Sequence, residues 1–96
     1  MIIQTSTNRF EKELTLMCKR GKSIKKLINV IGLLVNNVND GLPHHLLLPA
    51  KYRLHKIVNH LNTWDCHIEP DWLLLYYLDD NILRLERTGT HSDIFK

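Results

Sequence analysis

The apolar residues of this 96-residue sequence change their spacing near residue 54. Before that point they recur every three or four positions, which predicts amphipathic helices. After it they alternate with polar residues or form one continuous run, which predicts strands. The length of the sequence allows one domain, residues 1–96. Together the two patterns predict an α+β fold, in which a helical hairpin packs on one face of a mainly antiparallel sheet of four to five strands.

The first half of the sequence predicts a short strand followed by two helices. Residues 2–5 predict the strand because they are mainly β-branched and apolar. Asn8 and Glu11 have the spacing of a capping box at the start of the first helix, and Gly21 is its predicted end. Ser23 is the predicted cap of the second helix. The predicted inward-facing residues are Phe10, Leu14, Met17 and Cys18 in the first helix and Ile24, Leu27, Ile28, Ile31, Leu34 and Val35 in the second.

The segment after the second helix is rich in residues that favour turns. Residues 36–49 contain Asn-Asn, Asn-Asp-Gly and two prolines, so they predict a loop. The adjacent His44 and His45 do not predict a metal site, because no third ligand follows at a suitable spacing. Cys18 and Cys66 both lie in apolar patterns, so we expect two buried free thiols and no disulfide.

The net charge of +3 is unevenly distributed along the chain. Residues 1–48 carry seven Lys or Arg against three Asp or Glu, whereas residues 49–96 carry six against seven. Such a basic half attracts nucleic acid or an acidic partner, although a solvated helical surface explains the charge equally well. No apolar stretch approaches the roughly 20 residues that cross a membrane. Because residues 1–4 also do not resemble a signal peptide, we expect a cytoplasmic protein without membrane contacts.

The second half of the sequence predicts a meander of strands. Residues 63–68 alternate in polarity, which places Asp65 and His67 on the same side of a strand. Residues 72–78 are almost wholly apolar and predict a central strand that is covered on both faces. Residues 82–87 alternate again. The residues predicted to share a side are Cys66 with Ile68 in the first of these strands and Leu83, Leu85 and Arg87 in the last.

Two short runs in this half, residues 66–72 and 87–95, carry groups that can handle phosphate. They contain two histidines, three carboxylates, one arginine and two aromatic residues. Histidine suits both proton transfers of metal-free RNA cleavage by the 2′-hydroxyl, because its unperturbed pKa is about 6.5. An arginine stabilises charge on the phosphate, and an aromatic ring stacks on an unpaired base. Each residue taken alone is better explained by a turn, a core position or simple exposure.

Three runs, at residues 49–55, 66–76 and 87–95, together resemble the YafQ branch of the RelE/ParE toxin superfamily. The resemblance implies a bacterial type II toxin that acts as a ribosome-dependent mRNA endonuclease, with no metal or other cofactor. It also implies that a cognate antitoxin of the DinJ/RelB kind neutralises the toxin. The partners would then be this antitoxin, the ribosome and mRNA, with operator DNA bound only through the antitoxin complex. The family fold has the element order β-α-α-β-β-β-β, which agrees with the order read from the periodicity.

The resemblance also implies roles for individual residues. The catalytic residues would be His55, His67, Asp71 and His91. His91 would be the general acid, and the other three would share the general-base and phosphate-stabilising work. The residues that bind the substrate would be Trp64, Trp72, Arg87 and Phe95.

The sequence departs from the family pattern near the first catalytic residues. Leu54 stands where family members usually have Asp, directly before the first histidine. Trp64 stands where many members have Arg, so one phosphate anchor is missing, and its ring either stacks on RNA or belongs to the core. The alternative to an active nuclease is therefore a catalytically weak protein with the toxin fold. Such a protein would act mainly by binding its antitoxin and in autoregulation at operator DNA.

Overall fold

The structure, a computed structural model that describes residues 1–95, confirms the predicted α+β fold. The strands are β1 (Ile3–Ser6), β2 (His55–Lys56), β3 (Thr63–Glu69), β4 (Trp72–Asp79) and β5 (Ile82–Gly89). The α-helices are α1 (Asn8–Lys19), α2 (Ile24–Asn39) and α3 (His91–Ile94), and short 3₁₀ helices cover His44–Leu46 and Ala50–Tyr52. The sheet has the order β1-β5-β4-β3-β2, in which β1 runs parallel to β5 and all other neighbours are antiparallel. None of the described helices is long and apolar enough to cross a membrane.

Local signals set the ends of the helical hairpin. The hydroxyl of Thr7 accepts a hydrogen bond from the backbone N–H of Phe10, so Thr7 caps α1 and the predicted cap, Asn8, lies inside the helix. Gly21 follows α1 with a φ of +87°, the left-handed conformation that commonly ends helices. Ser23 has the extended backbone of an N-cap, but its side chain makes no capping hydrogen bond.

Helix α2 extends further than predicted. Residues 36–39, predicted as a loop, continue the helix, and the chain turns away at Gly41 with a φ of +79°. Val38 packs against the core, and the side-chain amide of Asn37 donates a hydrogen bond to the carbonyl of Leu47 at 2.8 Å. These tertiary contacts offset the low helix propensity of asparagine.

The core stripe of α2 is rotated relative to the prediction. Leu27, Val30 and Leu34 are buried, whereas Ile24 and Ile28, predicted to face inward, are exposed. The three buried residues have the spacing i, i+3 and i+7, so they form one face directed at the sheet. Ile28 lies more than 90° around the helix from the centre of that face, so it points away from the sheet.

The two cysteines differ in burial, which corrects half of the prediction. Cys66 is buried as predicted, and burial raises the pKa of its thiol. Cys18 is exposed, because the inward position in the last turn of α1 is taken by the neighbouring Met17. A side chain one position further along the helix is turned by about 100° away from it.

A β-bulge changes which face Arg87 occupies. Leu75 pairs with Arg87, but the next residue, Tyr76, pairs with Leu85, so the register shifts between these pairs. Leu83 and Leu85 belong to the core beneath the helices, as predicted. The prediction that Arg87 shares the side of Leu83 and Leu85 is wrong, because the extra residue interrupts the alternation. Arg87 lies with Leu75 on the opposite face.

His44 closes the core above Trp64. The two rings are stacked with centroids 3.3 Å apart, and Nε2 of His44 lies 2.9 Å from the hydroxyl of Tyr76. Burial, assisted by the charge of Lys56, lowers the pKa of His44 from 6.5 to about 4. His44 is therefore a neutral packing residue at pH 7.

We expect His44 to make the folded protein sensitive to acid. Because its pKa is about 4 when folded and 6.5 when unfolded, the unfolded chain takes up the proton first as the pH falls. The stability that depends on neutral His44 is complete above pH 6.5 and is lost toward pH 4, by roughly 1–2 kcal/mol because solvent screens part of the half-buried ring. Urea unfolding of wild type and His44→Gln at pH 7 and pH 5 measures the effect. Wild type should lose more stability than the variant, and equal losses would contradict this role.

Candidate active site

One face of the sheet carries a row of side chains across four strands. In an antiparallel pair, residues directly opposite each other lie on the same face. The register pairs His55 with Asp65, Asp65 with Leu75, and Leu75 with Arg87. His67 follows Asp65 by two positions and therefore points to the same face. This face, opposite the helical hairpin, brings together two of the histidines that the resemblance implies are catalytic.

The floor of this face is apolar and buried. Leu73 and Leu75 of β4 are 0% and 9% exposed, although neither belongs to the main core cluster. Asp65 is 1% exposed and His67 is 9% exposed. Asp65 and His67, the polar residues that β3 contributes to this face, are thus held largely away from water. Electrostatic interactions are stronger in such a buried position than at the surface.

Asp65 is a candidate active-site residue that the motif resemblance did not include. Nδ1 of His55 lies 2.8 Å from Oδ1 of Asp65 without hydrogen-bond geometry, so this buried oxygen has no hydrogen-bond partner within residues 1–95. Burial raises the pKa of Asp65, and His55, His67 and His91 oppose that rise. A buried carboxyl group with a free oxygen is costly and is characteristic of functional sites. The sequence indicates only that Asp65 shares a strand face with His67, because it lies two residues before it.

His91 and Asp71 form a second polar pair beside His67. Oδ1 of Asp71 accepts a hydrogen bond from the backbone N–H of His91 at 3.0 Å and lies 2.8 Å from Nδ1 of the same residue. The backbone contact, followed by the ring contact, holds the pKa of Asp71 below its usual value, so Asp71 is ionised at neutral pH. The ring centroid of His91 lies 5.2 Å from that of His67 and 6.3 Å from that of Phe95. Four residues from the two phosphate-handling runs therefore meet at one place.

In all three histidines the ring nitrogen Nδ1 is the one that contacts another group of the protein. Nδ1 of His55 and Nδ1 of His67 each lie 3.2 Å from a backbone carbonyl oxygen. Because a carbonyl oxygen only accepts hydrogen bonds, each Nδ1 carries the proton, and Nε2 is the free acceptor of the neutral ring. The ionised Asp71 selects the same tautomer of His91. Three imidazoles with a free Nε2 can take protons from a bound molecule or return them to it.

Helix α3 holds His91 and Phe95 through its capping residues. Thr90 and Asp93 form a capping box, in which each side chain binds the backbone N–H of the other. Asp93 also forms an ion pair with Arg20, at 2.9 Å, which ties α3 to the end of α1. Hydrogen bonding by the backbone N–H of Thr90 is the largest of the effects that lower the pKa of Asp93. A helix of only four residues thus has a defined position beside the sheet.

Arg87 is engaged by an acidic partner. Its Nε and Nη2 donate to Oε2 of Glu13 in α1, at 3.2 and 2.6 Å, and Nη2 also donates to the carbonyl of Asp93 at 3.3 Å. The charge of Arg87 is therefore offset by Glu13. A role of Arg87 toward phosphate remains a prediction.

The two tryptophans do not lie on the site face. Trp72 is 0% exposed, and its Nε1–H donates to the hydroxyl of Thr88 at 2.8 Å. This burial argues against the implied role of Trp72 in binding substrate, because a fully buried ring has no free face for a base, and the role stays a prediction. Trp64 is half-buried, stacks on His44 and packs against the core, which favours the core explanation over stacking on RNA. Phe95, by contrast, is 52% exposed.

The histidines and carboxylates of this face are not arranged as a metal centre. Within residues 1–95, no group of three or more His, Cys, Asp or Glu residues is placed so that it could hold a metal ion. The arrangement instead provides proton-transfer groups around a buried carboxyl group.

Two solved structures of bacterial toxins share this fold, with a helical hairpin on one face of the sheet. A chain of the Escherichia coli DinJ–YafQ complex superposes with a TM-score of 0.86 at 38% identity, with all of both chains covered. A metal-bound toxin from Helicobacter pylori superposes with a TM-score of 0.80 at 33% identity, over 99% of this chain and 100% of that one.

The sequence comparison identifies the family within this class. The family described as bacterial toxin of type II toxin-antitoxin system, YafQ, matches residues 3–96. The mRNA interferase toxin YafQ of Escherichia coli strain B/BL21-DE3 is 41% identical over 90 residues, which cover 93% of this chain and 90% of that protein. The chain therefore belongs to the YafQ family of bacterial type II toxins, and the resemblance seen in the sequence is confirmed.

Proposed function

We propose that this YafQ-family toxin is an endoribonuclease that cleaves mRNA. The observation that carries the proposal is the meeting of His55, His67 and His91 around buried Asp65, each ring with a free Nε2. Two relatives, at 41% and 40% identity, are named mRNA interferase toxins, which supports mRNA as the substrate.

The reaction that fits these groups is cleavage by the RNA's own 2′-hydroxyl. One histidine removes the proton of the 2′-hydroxyl, whose oxygen forms a bond to the adjacent phosphorus. The bond from phosphorus to the 5′-oxygen breaks, and a second histidine protonates that leaving oxygen. The products are a 2′,3′-cyclic phosphate and a 5′-hydroxyl end. The reaction needs two proton-transfer groups near one phosphate, and His67 and His91, with ring centroids 5.2 Å apart, meet that requirement.

The surroundings of each histidine suggest a division of roles. His91 is the general acid, acting as the imidazolium in which Nε2 also carries a proton, and Asp71 orients it by binding both its backbone N–H and its ring. His67, on the buried floor, is the general base, because its ring is fixed with Nε2 as the proton acceptor. His55 and Asp65 complete the site as a pair that shares protons and balances charge beside the phosphate.

Two further residues are proposed to hold the substrate. The exposed ring of Phe95 stacks on an unpaired base beside the cleaved bond. Arg87 approaches the phosphate from β5, where its guanidinium would exchange part of its contact with Glu13 for contact with RNA.

The partners of the toxin follow from the same proposal. A DinJ-like antitoxin neutralises it, as supported by the fold shared with the Escherichia coli DinJ–YafQ complex. The ribosome presents the mRNA, and the toxin reaches operator DNA only through the antitoxin complex. The basic residues around the helical hairpin, Lys19, Arg20, Lys22, Lys25 and Lys26, supply the charge that attracts ribosomal RNA or an acidic antitoxin. An mRNA substrate places the protein in the cytoplasm.

Mapping the RNA ends tests this function. Purified toxin in a reconstituted translation reaction should create new mRNA ends, detected by primer extension, and omission of ribosomes should abolish them. The downstream fragments should carry a 5′-hydroxyl, and the upstream fragments a 2′,3′-cyclic phosphate or its hydrolysis product. Ends with a 5′-phosphate would contradict attack by the 2′-hydroxyl. No new ends with folded protein would favour the catalytically weak alternative, in which antitoxin binding and operator autoregulation are the main activities.

A further inference from the structure

A cavity of about 530 Å³ opens directly beside His67. Helix α2, the second 3₁₀ helix and the end of β3 form its walls, so it lies to one side of the histidine cluster. Its volume is within the range of about 300–1,000 Å³ that is typical of sites for small organic molecules. Of the proposed catalytic residues, only His67 lines it. A molecule bound at His67 therefore has space to extend into this cavity.

The lining of the cavity is positively charged. Lys26, Lys51 and Arg53 contribute cations, and Glu69 is the single carboxylate among its described lining residues. Glu69 accepts hydrogen bonds from Lys26 at 2.6 Å and from Lys22 at 2.9 Å, and these contacts lower its pKa. Glu69 is thus already neutralised by lysines of the helical hairpin. The charges of Lys51 and Arg53 remain to attract an anion.

Arg53 couples the cavity to the catalytic face. Its φ of +48° is uncommon for a residue with a side chain, and such strained positions concentrate at functional sites. The carbonyl of Arg53 lies 3.2 Å from Nδ1 of His55, so the same residue lines the cavity and orients a catalytic histidine.

The remaining lining residues can contact a base. Tyr52 contributes a half-buried ring, with Nζ of Lys51 5.1 Å from its centroid. Asn29 of α2 contributes an amide, which can donate and accept hydrogen bonds at a base edge. Cations for phosphate, an aromatic ring and an amide are the groups that hold one nucleotide of a single strand.

We propose that this cavity is a nucleotide-binding subsite that holds the mRNA residue next to the cleaved bond. Lys51 and Arg53 bind its phosphate, and Asn29 and Tyr52 contact its base. The subsite rests on the proposed nuclease function, because the strand enters the cavity past His67. It makes the cavity a determinant of which sequences are cut.

The charge of the subsite is tested with the double variant Lys51→Ala/Arg53→Asn. Asparagine tolerates a positive φ better than most residues, so the backbone that orients His55 is preserved. The control, Lys12→Ala, removes an exposed lysine that neither lines the cavity nor belongs to the basic cluster of the helical hairpin. In the translation reaction, half-maximal cleavage should require a concentration of the double variant roughly tenfold or more above that of wild type, because two charged contacts are lost. Its maximal rate should stay within about twofold of wild type, and the control should match wild type in both.

The base contact is tested with Asn29→Ala. Sequencing of cleaved ends should show a changed nucleotide preference next to the cut, while the maximal rate stays within about twofold. Cleavage by the double variant that equals that of the lysine control would overturn the subsite while leaving the nuclease intact. A uniform loss in the double variant, with an unchanged preference in Asn29→Ala, would assign the cations to ribosomal RNA and also overturn it. Absence of cleavage by wild type would instead reject the proposed function itself.

Discussion

Replacing His91 with alanine is expected to lower the rate of mRNA cleavage by about 10²- to 10⁴-fold, the usual contribution of one positioned proton-transfer group. The ring contacts Asp71 and its centroid lies 5.2 Å from that of His67, so its loss removes the group proposed to protonate the leaving 5′-oxygen. Because His91 is exposed at the start of α3, the variant should keep the stability of wild type to within about 0.5 kcal/mol. Primer extension at saturating toxin concentration measures the rate.

Two variants make this result specific to the proposed role of His91. His45→Ala is the matched control, because His45 is an exposed histidine outside the sheet face that carries His55 and His67. Its replacement should leave the rate unchanged. Asp71→Asn keeps the size of the side chain but loses the ionised acceptor that orients the ring, so it should reduce the rate less than His91→Ala does. Cleavage by His91→Ala at the wild-type rate would remove His91 from the mechanism.

Replacing Trp72 with alanine is expected to lower the free energy of unfolding by about 3–5 kcal/mol, as for other large aromatic residues in protein cores. Trp72 is fully buried, and its indole N–H binds Thr88 within the sheet. A chain of 96 residues has a total stability of roughly 5–14 kcal/mol, so this one change removes much of it. Urea unfolding followed by circular dichroism measures the loss.

Comparison with Phe95 separates a packing role of Trp72 from base stacking. Phe95→Ala removes an exposed ring, so stability should change by less than about 0.5 kcal/mol. The rate at which Phe95→Ala cleaves mRNA should fall by about tenfold, because stacking on one base contributes about 1–3 kcal/mol. Trp72→Phe should keep most of its activity when folded, since Thr88 retains its hydrogen bond to the carbonyl of Leu73. A Trp72→Phe variant with normal stability but little cleavage would restore the stacking role that burial argues against.

Periodicity predicted the layers of the fold because it records local constraints. The spacing of apolar residues was sufficient to place two helices on one face of a sheet. It failed where distant contacts decide the outcome. Asn37 lies in a helix rather than a loop because it binds Leu47, and Ile28 is exposed because the sheet contacts α2 around Val30. None of these contacts is visible in the local sequence.

Only those residues of the candidate site that belong to sequence motifs could be predicted from the sequence. Those motifs supplied His67, Asp71 and His91, which the structure brings together. The importance of Asp65 could not be read in the same way, because it arises from burial between β2 and β4. The face of Arg87 depends on a β-bulge in the pairing of β4 with β5, which no alternation pattern reveals.

The pairing of β1 with β5 has a consequence for synthesis of the toxin. The hydroxyl of Thr7, just after β1, donates to the carbonyl of Glu86, 79 positions later in the chain. Contacts between such distant segments form late in folding, and they require both segments to have left the ribosomal tunnel. His91 is translated later still, so a partly synthesised chain lacks the completed sheet and its proposed acid. On the proposed function, a nascent toxin is harmless to the ribosome that makes it, and an antitoxin already present meets the enzyme as soon as it becomes active.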